Sequence, residues 1–156
     1  MTNRPEKGDK APEVTLPATG DTEINLGRPA GKGHVVFFYP KDNTKGCTTE
    51  AIDFTSLKPK FAELGFDIIG VSKDSLKSHA SFQTKQSLEV TLASDTEGTA
   101  CEAFGVWVEK SMYGKTYMGI ERSTFVVLAD GTLHEVWRKV RVKGHAEAVF
   151  EAVAAL

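Results

Sequence analysis

Five consecutive residues, Val35-Val36-Phe37-Phe38-Tyr39, leave this chain few ways to fold. They are β-branched or aromatic, carry no charge and are cut off by Pro40, the pattern of a short buried strand. A polar stretch follows, Lys41 to Gly46. After it Phe54, Leu57, Phe61 and Leu64 recur at helical spacing, with Gly65 as a stop signal. Pro59 lies inside that pattern and predicts a kink or a break there, since proline lacks the N–H that a helix interior uses. The run Asp67 to Ser72 is a second buried strand, Ser75 to Gln86 a second helix, and Val90 to Ala93 a short strand.

Further on, Ser94-Asp95-Thr96-Glu97 has the spacing of a capping box and predicts a helix from there through Phe104. Phe104, Trp107, Met112 and Tyr113, apolar and in or after that helix, read mostly as core, with a loop from Trp107 to Tyr117 bordering the site or a partner surface as the alternative. Ser123 to Leu128 and Thr132 to Arg138 flank Ala129-Asp130-Gly131, a hairpin signal because Asp-Gly tolerates the positive φ angles of a tight turn. The basic run Arg138 to Lys143 alternates with valine and reads as a strand with one solvated face. A last helix spans about Gly144 to Ala155, and the first 33 residues read as loops and short extended pieces. The order is βαβα, a short strand and helix, a β-hairpin, then a helix. It gives an α/β domain with a central mixed sheet flanked by helices, in the manner of a thioredoxin-like fold. At 156 residues the expectation is one domain over 1–156.

The net charge of −2 provides no attraction to nucleic acid or to an anionic membrane, and neither is expected as a partner. The polar N-terminus lacks the apolar core of a secretory signal, so the expected compartment is the cytoplasm, where a structural disulfide is disfavoured. Two cysteines, Cys47 and Cys101, are too far apart in sequence for a CxxC redox pair or a four-ligand zinc site. The histidines His34, His79, His134 and His145 show no metal spacing and read as solvated or structural. No cofactor and no metal are expected.

Cys47 is the residue with chemistry to explain. A strand ends, a loop turns, and the cysteine falls in the first turn of the next helix. Helix N-termini present unpaired N–H groups and a partial positive charge, and both favour thiolate, the nucleophilic form, over thiol. Gly46, Thr48 and Thr49 make a poor core environment, which argues against an inert buried thiol.

Pro40-x-x-x-Thr44-x-x-Cys47 resembles the P-x-x-x-T-x-x-C signature of the peroxiredoxins, and Phe38 to Glu50 is similar to their bacterioferritin comigratory protein, or peroxiredoxin Q, branch. The similarity continues through Tyr113-Gly114-Lys115-x-Tyr117-Met118-Gly119-Ile120, Arg122-Ser123-Thr124-Phe125 and Val142-Lys143-Gly144-His145-Ala146. The resemblance implies a thiol-specific peroxidase that reduces hydrogen peroxide and organic hydroperoxides through a Cys47 sulfenic acid. It implies Thr44 as the residue that orients the peroxide, Arg122 as the stabiliser of thiolate and transition state, Pro40 as a shield and Glu50 as the holder of the arginine. Thioredoxin or a small thiol would recycle the enzyme, as a monomer or weak homodimer. Without the motif, Thr44 reads as a cap, Arg122 as a surface charge and Glu50 as a first-turn acid.

One departure matters. Many relatives place a resolving cysteine five residues after the peroxidatic one, where this chain has Ile52; others place it in the following helix, which has none. Cys101 remains as a candidate resolver, and the alternative is a one-cysteine cycle in which an external thiol reduces the sulfenic acid. A peroxide sensor and a non-catalytic thioredoxin-like binding module are the rival readings.

Overall fold

The computed structural model describes residues 4–156. Its elements, in chain order, are β1 (Thr15–Ala18), β2 (Thr22–Asn25), β3 (Gly33–Phe38), α1 (Lys45–Glu63), β4 (Phe66–Ser72), α2 (Leu76–Gln86), β5 (Thr91–Ser94), α3 (Thr99–Ala103), β6 (Trp107–Met112), β7 (Lys115–Ile120), β8 (Ser123–Leu128), β9 (Leu133–Trp137) and α4 (His145–Ala154). Seven strands form one sheet in the order β2-β1-β5-β4-β3-β8-β9, and β6 and β7 form a separate two-stranded ribbon. Strand β3 runs parallel to β4 and antiparallel to β8, so the sheet is mixed, as its strand pattern predicts.

Apolar residues cover both faces of β3 because both faces are packed. Val35, Phe37 and Tyr39 point into a cluster with Phe54 and Phe61 of α1, Phe82 of α2 and Val149 of α4. Val36 and Phe38 point the other way, to Phe104, Phe125, Val106 and Leu26. Gly33 opens β3 because a Cβ there would stand 2.3 Å from the Phe66 ring.

Four expectations need correction. Helix α1 is not broken at Pro59; it continues through it, because Phe54 before and Phe61 after the proline are anchored in the same cluster. The capping box is not formed. Ser94 ends β5, and Asp95 does the capping instead, its carboxylate accepting from the backbone N–H groups of Ala100 and Cys101 at 3.1 and 2.8 Å, so α3 starts only at Thr99. The segment from Trp107 to Tyr117 is not a loop but most of the β6–β7 hairpin. Its turn, Tyr113-Gly114, has φ of 52° and 77°, the left-handed pair that a two-residue hairpin turn demands. The basic run does not extend the sheet: β9 stops at Trp137, and the Arg138 guanidinium turns to the carbonyls of Pro5, Phe104 and Gly105. No helix among the described residues is long and apolar enough to cross a membrane.

Candidate active site

Three pieces of chain meet at the C-terminal end of β3: the loop after it, the first turns of α1, and the link between β7 and β8. Thr44 is the N-cap of α1, but its hydroxyl caps no helical N–H. It donates to the Lys41 carbonyl at 2.8 Å, which leaves its oxygen lone pairs free to accept. The first helical hydrogen bond runs from Thr48 N–H to the Thr44 carbonyl, so the N–H groups of Lys45, Gly46 and Cys47 precede it. Cys47 stands at this turn with its side chain buried, 1% exposed, while Pro40 is half-buried and Thr44 exposed.

Arg122 arrives from the other side. One guanidinium nitrogen donates to Glu50 Oε1 at 2.7 Å, and the other donates to Cys47 Sγ at 3.4 Å. Burial works against this cation, but the Glu50 and Cys47 charges outweigh it and hold Arg122 above its ordinary range. Burial pushes the Glu50 carboxyl up to about 7, against the pull of Arg122, and its buried Oε2 has no hydrogen-bond partner among the described residues. Gly46 is small for a reason: a Cβ there would stand 3.2 Å from Arg122 Nη2, the nitrogen that touches the sulfur. The four residues Cys47, Glu50, Arg122 and Gly46 thus form one contact set, and sequence spacing alone could not pair Arg122 with a cysteine 75 positions away.

The loop itself is clamped from below by a network that the sequence reading missed. The Asp42 carboxylate accepts from the Tyr39 hydroxyl at 2.6 Å, the Ser78 hydroxyl at 2.7 Å and His79 Nδ1 at 2.8 Å. His79 Nε2 lies 2.9 Å from the Ala93 carbonyl. Burial opposes the Asp42 charge, yet the hydrogen bonds from His79, Tyr39 and Ser78 win and its carboxyl lies below the usual range. Burial, then the Asp42 charge, push the Tyr39 phenol upward and keep it a donor. The signal available in the sequence was an aspartate two residues past Pro40 and a histidine on the inner face of α2. Lys110 of β6, half-buried, also comes within electrostatic reach of Arg122 and Cys47.

Cys101 is elsewhere. It belongs to the cluster on the Val36–Phe38 face of the sheet, whereas Cys47 belongs to the Val35–Phe37–Tyr39 face. Burial and the neighbouring Asp95 push its thiol well above the ordinary range. Both cysteines are free. Ile52, five residues after Cys47, is 40% exposed on α1.

The model of the AhpC/TSA family matches residues 7–136. Peroxiredoxin Bcp of Bacillus subtilis is 49% identical over 145 residues, covering 92% of each chain, and Peroxiredoxin Bcp of Xanthomonas campestris pv. campestris is 48% identical over 143 residues, covering 92% of this chain and 89% of its own. A solved structure of the Xanthomonas campestris bacterioferritin comigratory protein, described for its alkyl peroxide reduction, superposes with a TM-score of 0.88 at 44% identity, over 97% of this chain and 98% of that one. A thioredoxin-like sheet, a cysteine at a helix start under an arginine, and this breadth of match agree: the chain belongs to the AhpC/TSA family, among the peroxiredoxins of the bacterioferritin comigratory protein type.

Proposed function

We propose that Cys47 is the peroxidatic residue of a thiol peroxidase that reduces hydrogen peroxide and organic hydroperoxides. The Cys47 thiolate attacks the terminal oxygen of the hydroperoxide; an S–O bond forms as the O–O bond breaks. The departing oxygen takes a proton and leaves as water or an alcohol, and Cys47 becomes a sulfenic acid. Thr44 accepts the O–H of the incoming peroxide, since its own hydroxyl proton is committed to Lys41. Arg122 holds the thiolate and the negative charge that develops on the leaving oxygen, Glu50 positions Arg122, and Pro40 keeps bulk water from the sulfur.

The single observation that carries this reading is the Arg122 guanidinium spanning Glu50 Oε1 and Cys47 Sγ. A structural arginine would be paired to carboxylates or carbonyls alone; here one fork is spent on a thiol. The similar Xanthomonas campestris protein described for alkyl peroxide reduction supports extension to organic hydroperoxides. The position of Cys101 supports recycling by an external thiol, thioredoxin or a small molecule, in a one-cysteine cycle. Two free thiols suit a reducing compartment such as the cytoplasm, and the net charge of −2 suits a protein that works without nucleic acid or membrane, as a monomer or weak homodimer.

The test is the single-turnover oxidation of Cys47 by hydrogen peroxide, followed by trapping of the sulfenic acid. Replacing Arg122 by Met is expected to slow it by about 100-fold, the usual loss for one preorganised donor at a developing charge. An unchanged rate would show that Arg122 only braces the fold. Repeated turnover with a reductant separates an enzyme from a peroxide sensor.

A further inference from the structure

A cavity of about 690 Å3 opens beside the active site. One wall is α1, with Lys45, Gly46, Asp53 and Leu57; the other is the turn into α4 and its first residues, with Lys143 and Glu147. Its volume falls within the roughly 300–1,000 Å3 of small-molecule sites. Gly46 joins it to the chemistry: this residue lines the cavity, precedes Cys47, and has its bare Cα turned to the Arg122 nitrogen that touches the sulfur. Leu57, Val142 and Ala146 give the lining apolar surface, and Lys45, Lys143, Asp53 and Glu147 give it charges of both signs. Among the described residues, none of Lys45, Lys143, Asp53 and Glu147 forms an ion pair. Burial, then the facing Glu147, hold the Asp53 carboxyl above its usual range, so an incoming cation would relieve that pair. A neutral alkyl hydroperoxide would leave all four charges unmatched. A ligand with carboxylates and an ammonium group would match them.

We propose that this cavity seats the reductant, a small peptide thiol with its carboxylates against Lys45 and Lys143, its ammonium toward Asp53 and Glu147, and its sulfur at Gly46. The proposal rests on Cys47 being the peroxidatic residue. The bound thiol attacks the sulfenic sulfur of Cys47; an S–S bond forms, the S–O bond breaks, and the hydroxyl leaves as water with the thiol proton. A second thiol molecule attacks the outer sulfur of this mixed disulfide, releasing the Cys47 thiolate and the symmetrical disulfide. Two thiols are oxidised for one peroxide reduced.

The probe is glutathione, with uncharged dithiothreitol as the comparison, on the full chain. Wild-type protein is expected to turn over with both, and peroxide-treated protein to gain one glutathione on Cys47 by mass. In the Lys45→Gln/Lys143→Gln double variant the ratio of kcat/KM for glutathione to that for dithiothreitol is expected to fall about fivefold, the size of two exposed ion pairs. Added salt should lower the same ratio in the wild type. Turnover with dithiothreitol or thioredoxin but not with glutathione would overturn the proposal and leave the peroxidase reading standing, as would a ratio unmoved in the double variant. Inactivity with every thiol would overturn the peroxidase reading and the proposal together.

Discussion

Arg122 answers to two neighbours at once, a carboxyl that needs its charge and a sulfur that uses it. Glu50 is the less comfortable of the two. It is buried, only one of its oxygens is paired among the described residues, and its carboxyl is pushed from 4.5 up to about 7. Between those values the folded protein holds a proton that the unfolded chain has released, so the stability contributed by this group falls as pH rises from about 4.5 to 7 and is flat above. Replacing Glu50 by Gln removes that slope. Denaturant unfolding is expected to show the variant gaining on the wild type by roughly 3 kcal/mol between pH 5 and pH 8. A constant difference across that range would mean that Glu50 is ionised throughout. The peroxidase rate of the same variant should drop, because Arg122 loses the partner that fixes its fork.

The elements contribute by aiming residues, and here the loop between β3 and α1 is the critical one. Asn43 in that loop takes a left-handed φ of 62°, a conformation asparagine tolerates, and the backbone is then held by Asp42 against α2 through Ser78 and His79. Replacing Asp42 by Ala would leave His79 and the Tyr39 hydroxyl buried without their acceptor. The expected cost is about 3 kcal/mol in denaturant unfolding, with a slower oxidation of Cys47 because Thr44 and Pro40 lose their support. A loss under about 0.5 kcal/mol would show that the clamp is idle. The strands and helices that make this frame were legible from pattern: the Val35–Tyr39 run, the helical spacing after Gly46, the helix over Ser75 to Gln86, which the Ser75 hydroxyl caps by accepting from the Ser78 N–H, and the Asp-Gly hairpin. The β6–β7 hairpin was not, because it packs little of itself. Met112, Tyr113, Tyr117 and Met118 are exposed, so the alternation that marks a half-buried strand is absent, and only Tyr113-Gly114 marked its turn. The Ser94 capping box failed for a related reason: the match is local, while β5 pairing with β4 claims Ser94 first.

At the scale of the whole molecule the sheet is a partition. Cys47, on α1, packs into the cluster with α2 and α4; Cys101, on α3, packs into the one with the root of the β6–β7 hairpin; and β3, whose two faces are lined by large apolar side chains, contributes to both. A disulfide between them would need Cα atoms within about 7 Å, which the intervening layer opposes. Nothing in the spacing of two cysteines could have disclosed that. It follows from which way α3 packs, and that is decided by Ala100, Cys101 and Phe104 entering the second cluster. The oxidative chemistry was therefore readable from the motif around Cys47, while the choice of recycling route depends on a three-dimensional separation. A one-cysteine peroxidase is tested by steady-state consumption of hydrogen peroxide with dithiothreitol, comparing wild type, Cys47→Ser and Cys101→Ser. Turnover is expected to vanish in Cys47→Ser and to stay within about twofold of wild type in Cys101→Ser, because the Cys101 thiol is buried and its ionisation is opposed by burial and Asp95. Persistence of activity without Cys47, or its collapse in a folded Cys101→Ser protein together with a Cys47–Cys101 peptide in the oxidised wild type, would contradict it.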